Sequence, residues 1–227
     1  MLSSLKSTRG AEIIRKWRDK YVPASKPANV SITLFENDES RSSAKKTVVV
    51  GGVSRGGTTS VASILHDLGV FLGNDLEHNL EDFDFHVPFQ QMPPVIEQRN
   101  KAHDVWGWKH PDVTLYLDHI VGHLSNPRLI LVTRDPTSVA VSQVNRNDLD
   151  PEKAMQDGVV ALQRNLLTCM RLRIPTLMIS YEKLILSPIV GVAEIAGFMG
   201  IDMTATRQKE IAKFVKAGRY RTASPKS

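Results

Sequence analysis

The chain has 227 residues, of which 41% are hydrophobic and 23% are charged, with a formal net charge of +5. This composition is typical of one soluble globular domain with a sizeable core, and the lone cysteine, Cys169, excludes an internal disulfide framework and fits a reducing compartment. No apolar run approaches the roughly 20 residues of a membrane helix, and no basic stripe or binding motif supports nucleic-acid recognition.

Residues 1–43 are predicted to be an N-terminal appendage to an α/β domain at 44–218. Apolar residues at helical spacing between positions 13 and 21 predict a short helix, and residues 31–35 predict an edge strand. We expect the helix to pack on the domain rather than on a membrane, because its apolar face is short. The first residues lack the apolar core of a secretion signal, which favours a cytoplasmic protein or a chain trimmed of a membrane anchor.

A β-branched run, a glycine-rich loop and an amphipathic helix follow one another from residue 48 to residue 68. A strand, loop and helix in this order direct backbone N–H groups and the positive end of the helix at an anion. Gly56 and Gly57 let the backbone approach a phosphate closely. The loop also offers hydroxyl groups, which belong to Ser54, Thr58, Thr59 and Ser60. The sequence therefore predicts a phosphate-binding loop.

This loop departs from the Walker A motif at one position. Residues 52–57 have the glycine spacing of that motif, whereas Thr58 stands where its invariant lysine belongs. The cation lies inside the loop instead, at Arg55. A basic residue, a small residue, glycine and threonine in this order resemble the 5′-phosphosulfate loop of sulfotransferases that use 3′-phosphoadenosine 5′-phosphosulfate (PAPS), although the usual cation there is lysine. For the loop taken alone, an ordinary glycine-rich turn is the alternative.

A second pattern with the same resemblance follows a strand predicted at 128–133. Arg134 leaves the strand end, Asp135 and Pro136 suit the cap and first turn of a helix, and Ser142 lies two turns into that helix. In the sulfotransferases such an arginine and serine hold the 3′-phosphate of the cofactor, and both are suitable phosphate ligands. Taken alone, this segment also allows a purely structural interpretation. In that case Arg134 pairs with Asp135, and the Ser142 hydroxyl bonds to its own helix.

Two weaker matches extend the resemblance over residues 47–218. Tyr181 opens a Tyr-Glu-x-Leu segment and is predicted to approach the adenine, with a purely structural tyrosine as the alternative. Lys216 and Gly218 resemble the late basic-glycine segment that closes over the 3′-phosphate, but only one basic residue precedes the glycine. Arg219 could substitute for the other, in a basic tail at 219–227 that could equally be a solvated end.

Catalytic candidates follow a short strand predicted from residue 105. Lys109 and His110 lie at its end, where open parallel sheets bind ligands. The resemblance implies that Arg55 neutralises charge on the bridging and leaving oxygens, that Lys109 binds the moving sulfonate, and that a general base takes the acceptor's proton. We favour His110 as that base, because the adjacent cation helps to keep its imidazole neutral.

Glu81 is the second candidate for the base, because several carbohydrate sulfotransferases use a glutamate that follows the phosphate-loop helix. It lies in an irregular acidic and aromatic segment at 74–94, which is predicted to be either a surface loop or a lid or acceptor-binding segment. Two histidines in this segment match no familiar metal-binding spacing, so no metal site is predicted.

Helical spacing predicts further helices at 112–124, from residue 151 onward, at 189–199 and at 204–217. Gly200 and Gly218 are expected to end the last two, and an apolar run at 176–180 predicts another strand. The helix after Asp150 has a predicted buried stripe that consists of Met155, Val159, Leu162, Leu166 and Cys169.

These patterns together predict an α/β fold with three layers, in which helices flank a central parallel sheet with a P-loop-like nucleotide-binding core. The resemblance implies a sulfotransferase that moves a sulfonate from PAPS to a hydroxyl or amine by direct in-line transfer and releases PAP. The acceptor is left open between a small molecule, a lipid and a saccharide, and the oligomeric state is not predicted. The alternatives are a P-loop kinase that uses ATP and a non-catalytic module that binds PAP or PAPS.

Overall fold

A computed structural model of the chain describes residues 28–216. The helix predicted between positions 13 and 21 lies outside these residues, as do Gly218, Arg219 and the rest of the basic tail. The glycine-rich loop, the strand ends and the acidic segment at 74–94 all lie within the described residues.

Within residues 28–216, five strands form one sheet in the order β1-β5-β4-β2-β3. The strands are β1 (Ser31–Leu34), β2 (Lys46–Gly52), β3 (Val105–Lys109), β4 (Pro127–Thr133) and β5 (Thr176–Ser180). The pairs β2–β3, β2–β4 and β4–β5 are parallel, whereas β1 pairs antiparallel with β5. The predicted edge strand is thus present, and it belongs to the same sheet as the phosphate-loop strand.

Helices cover both faces of this sheet. The α-helices are α1 (Asp38–Ser42), α2 (Thr58–Asp67), α3 (Met92–Ala102), α4 (Leu117–Ile120), α5 (Pro136–Asn147), α6 (Pro151–Leu172), α7 (Tyr181–Leu186), α8 (Pro188–Met199) and α9 (Ala205–Ala212). Short 3₁₀ turns lie at Phe83–Phe85, Phe89–Gln91, Val113–Leu115 and Val121–His123.

The alternation of side chains along the strands divides the core in two. Val48 and Val50 of β2 belong to a cluster with α2, α8 and α9, whereas Val49 points into a second cluster on the opposite face. Trp106 and Trp108 of β3 are completely buried in that second cluster, together with residues of α3 and α4. This is the predicted three-layer arrangement, and it leaves the carboxyl ends of β2, β3 and β4 side by side.

The single helix predicted at 112–124 is wrong. The segment is divided into two 3₁₀ turns around the short helix α4. Its apolar residues do face the core, since Val113, Leu117 and Ile120 are fully buried. Thr114, in the first of these turns, is also buried, and its hydroxyl donates to Asn165 of α6 at 2.5 Å.

The buried stripe predicted on α6 is also largely wrong. Cys169 is buried as expected, but Val159 is exposed, and Met155, Leu162 and Leu166 are only partly covered. The buried face instead consists of Ala154, Gly158, Asn165, Thr168 and Cys169. The small residues on this face allow α5 to approach α6 closely. The polar residues can be buried there because they are hydrogen-bonded, and a pattern based on hydrophobicity alone does not detect such positions.

Two predicted helix ends have different outcomes. Gly200 follows α8 with a φ of +68°, as predicted for a C-terminal cap. The last helix, α9, begins after the cap Thr204 but ends at Ala212 instead of residue 217. The chain leaves the helix there because the following turn uses tighter hydrogen bonds, such as Phe214 N–H to the Ile211 carbonyl, and buries Val215.

Candidate functional site

The glycine-rich loop joins β2 to α2 through a tight turn. Gly57 precedes α2 with a φ of +96°, in the left-handed region that favours glycine. A Cβ atom at this position would lie 2.1 Å from the Tyr181 ring, so the ring packs directly on the loop backbone. The N-terminus of α2 has no side-chain cap. Its first backbone N–H groups are therefore available to an anion.

This turn lines a cavity of about 340 Å³, here called the loop cavity. Residues 54–60 contribute Ser54, Arg55, Gly57, Thr58, Thr59 and Ser60. Other elements contribute His78, Asn79, Glu81, Lys109, Pro111, Arg134, Ser142, Arg146 and Tyr181. Four of these lining residues are lysine or arginine and one is a carboxylate. The charge of the lining suits a polyanionic ligand.

Arg134 leaves the end of β4 and reaches the glycine-rich loop. Its Nη1 donates to the carbonyl oxygen of Arg55 at 2.7 Å, and its guanidinium lies 5.1 Å from the centroid of the Tyr181 ring. The Nε atoms of Arg134 and Arg55 are buried without a hydrogen-bond partner among the described residues. Buried donors without acceptors are costly, so the two arginines fit a bound anion that would accept from them.

Lys109 ends β3 at the opposite side of the loop cavity. Only 2% of the residue is exposed, and its Nζ lies 2.5 Å from Oε1 of Glu81. Burial lowers the pKa of the Lys109 ammonium, and the hydrogen bond to Glu81 opposes that shift. Lys109 and Glu81 thus form an ion pair at the point where β3 meets the acidic segment.

His110, which follows Lys109, lines a second cavity. Its backbone N–H donates to Val50 of β2 at 3.0 Å, which anchors the residue at the strand end. The imidazole Nδ1 is buried without a hydrogen-bond partner among the described residues. Burial lowers the pKa of His110 below its ordinary value of 6.5, and the nearby Glu81 carboxylate opposes this shift. Burial therefore favours the neutral form of the imidazole.

The second cavity has a volume of about 540 Å³ and is here called the aromatic cavity. Its apolar lining consists of Phe85, Val87, Pro88, Phe89, Met92, Leu115 and Tyr116. Its polar lining is restricted to Glu81, His86 and His110, apart from the hydroxyl of Tyr116, whose pKa burial raises to about 12. Glu81 lines both cavities, so the two are neighbours at this carboxylate.

Buried charges anchor the acidic segment that carries Glu81. Arg99 of α3 donates through Nη2 to Asp82 at 2.9 Å and to Asp84 at 2.5 Å. Asp82 and Arg99 are both buried, and burial raises the pKa of the Asp82 carboxyl while Arg99 opposes the shift. Because Asp82 follows Glu81 directly, this ion pair holds the segment against α3 and positions Glu81 between the cavities.

A buried amide connects the ends of β2 and β3 behind the loop cavity. Asn165 of α6 is fully buried, and its Nδ2 donates to the carbonyl oxygen of Gly52 at 2.8 Å. Its Oδ1 accepts from Thr114, which lies shortly after His110 in the chain. Sequence patterns did not single out this residue, because the stripe predicted on α6 was built from apolar residues only and Asn165 is polar.

The sequence-predicted residues are distributed unevenly. The residues of the glycine-rich loop gather in or under the loop cavity with Glu81, Lys109, Arg134, Ser142 and Tyr181, and Gly56 shapes the turn by donating to the Val53 carbonyl. His110 lies in the neighbouring cavity. Lys216 is exposed and is not among the residues that line the loop cavity, and Arg219 lies outside the described residues.

Sequence reasoning missed Arg146, which lines the loop cavity from α5. A signal was present, because Arg146 follows Ser142 by four residues, and residues at this spacing share one face of a helix.

No helix among residues 28–216 has the length and apolarity needed to cross a bilayer. In the same range, no group of three or more histidine, cysteine, aspartate or glutamate side chains is arranged to hold a metal ion.

No protein-family model and no curated protein sequence matches the chain. Solved structures do match its fold. The sulfotransferase domain of the Synechococcus PCC 7002 olefin synthase has a TM-score of 0.53 and 16% identity, over 86% of this chain and 81% of that one. Sulfotransferase STF1 of Mycobacterium tuberculosis H37Rv has a TM-score of 0.52 and 14% identity, over 74% of this chain and 71% of that one.

A third match is mouse sulfotransferase SULT7A1, whose structure is a complex with PAP. It has a TM-score of 0.52 and 13% identity, over 76% of this chain and 64% of that one. At these identities the likeness concerns the fold. The chain has the sulfotransferase fold, which confirms the resemblance and the α/β class predicted from its two signatures.

Proposed function

We propose that the protein is a PAPS-dependent sulfotransferase that moves a sulfonate to a hydroxyl or amine of an acceptor by direct in-line transfer. The observation that carries the proposal is that two groups of residues suited to bind anions line one cavity. The glycine-rich loop with Arg55 follows β2, and Arg134 with Ser142 follows the adjacent strand β4. A nucleotide with phosphate on both its 5′ and 3′ sides uses both sets, whereas a single phosphate chain requires only the loop.

Each set has a defined task in this proposal. The backbone N–H groups at the start of α2 and the hydroxyls of Thr58, Thr59 and Ser60 hold the 5′-phosphosulfate. Arg134 and Ser142 hold the 3′-phosphate through charge-assisted hydrogen bonds. Tyr181 packs on the loop and on the Arg134 guanidinium, where its ring offers an apolar surface for the adenine.

The chemistry requires positioning and charge stabilisation more than covalent work by the protein. PAPS, when bound, supplies the sulfonate and retains the electron pair of the broken sulfur–oxygen bond as PAP. Arg55 stabilises the negative charge that grows on the leaving oxygen. Lys109 contacts the sulfonate during transfer. The proton of the acceptor passes to a general base on the side of the aromatic cavity.

His110 is our first choice for this base. Its imidazole lines the aromatic cavity at a rigid strand end beside Lys109, and burial lowers its pKa, which favours the neutral form that a base needs. Glu81 is the second choice, because it lines both cavities but already accepts from Lys109 through Oε1. The aromatic cavity is where we propose that the acceptor enters, and its partly apolar walls leave small molecules, lipids and saccharides with an apolar face as candidates.

The kinase alternative has weaker support. Thr58 stands in the place of the Walker A lysine, and β4 ends at Thr133 and is followed by Arg134 instead of the acid that holds magnesium in P-loop enzymes. A non-catalytic PAP-binding module would also keep Arg134 and Ser142. Such a module would not need a base, and therefore would not need His110 at the aromatic cavity.

Incubation with PAPS that carries a labelled sulfonate tests the proposal. The acceptor panel contains a simple phenol, a sterol, a long-chain alcohol and a saccharide. We expect label in at least one acceptor and an equal amount of PAP. Binding of PAPS without transfer to any of these classes would support the non-catalytic module, and phosphoryl transfer from ATP would support the kinase.

A further inference from the structure

We propose that Arg146 is a third ligand of the 3′-phosphate, beside Arg134 and Ser142, and that it contributes to selection of a bisphosphate nucleotide over a monophosphate. This inference rests on the proposed function, because it assigns a residue to the same nucleotide site. It concerns a side chain that neither sulfotransferase signature in the sequence contains.

The first argument is position. Arg146 lies in the last turn of α5, four residues after Ser142, and both line the loop cavity. A helix repeats every 3.6 residues, so residues four apart lie one above the other on the same face. A long arginine side chain that lines the same cavity from the next turn is within reach of an anion held by Ser142 and Arg134.

The second argument is charge pairing. Several arginines in the described part of the chain are paired with carboxylates, namely Arg41, Arg99, Arg128, Arg164 and Arg171. The three arginines that line the loop cavity are Arg55, Arg134 and Arg146, and none of them has a carboxylate within ion-pair distance among residues 28–216. Their positive charges are therefore not neutralised by the described protein and remain available to a ligand.

The third argument is the number of donors that the phosphate needs. A phosphate dianion accepts several charge-assisted hydrogen bonds, and guanidinium groups donate in pairs. Arg134 already uses Nη1 on the Arg55 carbonyl, so it cannot present its whole fork to the ligand. The guanidinium of Arg146 would supply donors in place of the one that Arg134 has already used. Because Arg146 is exposed at the cavity edge, it can turn to the phosphate without disturbing the core.

The experiment compares binding of PAP and of AMP, which lacks the 3′-phosphate, by isothermal titration calorimetry. Wild type is compared with Arg146→Ala, with Arg146→Lys, and with Lys209→Ala as a control. Lys209 is an exposed cation of α9 outside the loop cavity, so the control removes the same charge elsewhere. Circular dichroism and thermal melts verify that each variant is folded.

We expect Arg146→Ala to weaken PAP binding about tenfold, which corresponds to loss of one charge-assisted contact, and to change AMP binding less than about twofold. Arg146→Lys should recover part of the PAP affinity, because lysine keeps the charge but not the bidentate fork. Lys209→Ala should leave both affinities within about twofold of wild type, as expected for a distant, screened charge.

Three results would overturn the inference. Wild-type PAP affinity in Arg146→Ala would make Arg146 a solvated surface cation, while the proposed function would stand. If Arg146→Ala lost PAP affinity and AMP affinity equally, Arg146 would not be a ligand of the 3′-phosphate. If wild type bound no PAP, both the inference and the proposed function would fail.

Discussion

The loop cavity and the aromatic cavity meet at Glu81 but are built from different kinds of structure. The loop cavity stands on the ends of parallel strands, whose register pairs Val50 with Lys109 and Gly52 with Val132. Most of the aromatic cavity is made by the irregular segment around Glu81 and by the 3₁₀ turns that follow it. The residues that we propose as phosphate ligands are therefore positioned by the sheet, whereas the cavity that we propose for the acceptor depends on particular side-chain contacts.

If the proposed assignment of the two cavities is correct, mutations should damage the aromatic cavity more easily than the loop cavity, and they should do so without loss of nucleotide binding. The contacts that maintain it are few and specific, with Arg99 and Asp82 at their centre. Stacking supports the same wall, since the ring of Phe85 lies 4.4 Å from that of Trp108 with nearly parallel planes. Mutations should therefore be able to change the function of one cavity while the other keeps its own.

The largest expected effect is on stability, in Arg99→Ala. Removal of the guanidinium leaves Asp82 buried without its partner, and breaking a buried pair in this way costs about 3–5 kcal/mol. Chemical denaturation measures the loss. In Arg171→Ala, which breaks the exposed pair with Asp118, we expect at most about 1 kcal/mol. Folded Arg99→Ala should lose transfer activity but keep PAP affinity, and a parallel loss of PAP affinity would contradict the separation of the cavities.

The second effect is on turnover, in His110→Ala. Loss of a general base lowers turnover by roughly a hundredfold or more, while PAP affinity should stay at the wild-type value because His110 does not line the loop cavity. Steady-state kinetics and calorimetry give the two quantities. Near-normal turnover in this variant, with collapse in Glu81→Gln, would transfer the role of base to Glu81 and favour a saccharide-like acceptor.

The third effect divides two arginines of the loop cavity. Arg134→Ala should weaken PAP binding by about 2 kcal/mol or more, because it removes charge-assisted contacts to the product itself. Arg55→Ala should lower turnover more than it weakens PAP binding, because the charge that Arg55 stabilises grows in the transition state. Equal losses of affinity and turnover in both variants would remove this distinction.

The smallest effect is on the pH dependence of turnover. A base must be unprotonated, and burial lowers the pKa of His110 below 6.5. As pH falls through that lowered pKa, the imidazole gains a proton and turnover declines, so the midpoint of the acidic limb should lie below pH 6.5. Residual turnover of His110→Ala should lack this limb. A limb centred above pH 6.5 would argue against His110.

The same contrast explains which features could be predicted from the sequence. The strands, the glycine-rich loop and Arg134 follow from local patterns, because a β-branched run, a glycine turn and a capped helix have the same geometry wherever they occur. The wall of the aromatic cavity does not follow, because Asp82 meets Arg99 across 17 positions of sequence and neither residue belongs to a repeating pattern.

Polar residues were the main source of error. On α6, hydrophobicity placed Met155 and Val159 inside, but the buried positions include Asn165 and Thr168. Asn165 is accepted there because Gly52 and Thr114 satisfy its amide, and such partners come from distant parts of the chain. The surroundings of His110 have a similar origin, since most of the cavity that it lines is made by residues between 81 and 92.

The account depends most on the identity of the nucleotide, which thermal unfolding in the presence of PAP and of ATP with magnesium tests directly. A ligand that binds only the folded state raises the unfolding midpoint according to its affinity. We predict that PAP raises the midpoint at concentrations where ATP with magnesium has little effect. Stabilisation by ATP with magnesium and none by PAP would contradict the assignment of Arg134 and Ser142 to a 3′-phosphate and, with it, the sulfotransferase proposal.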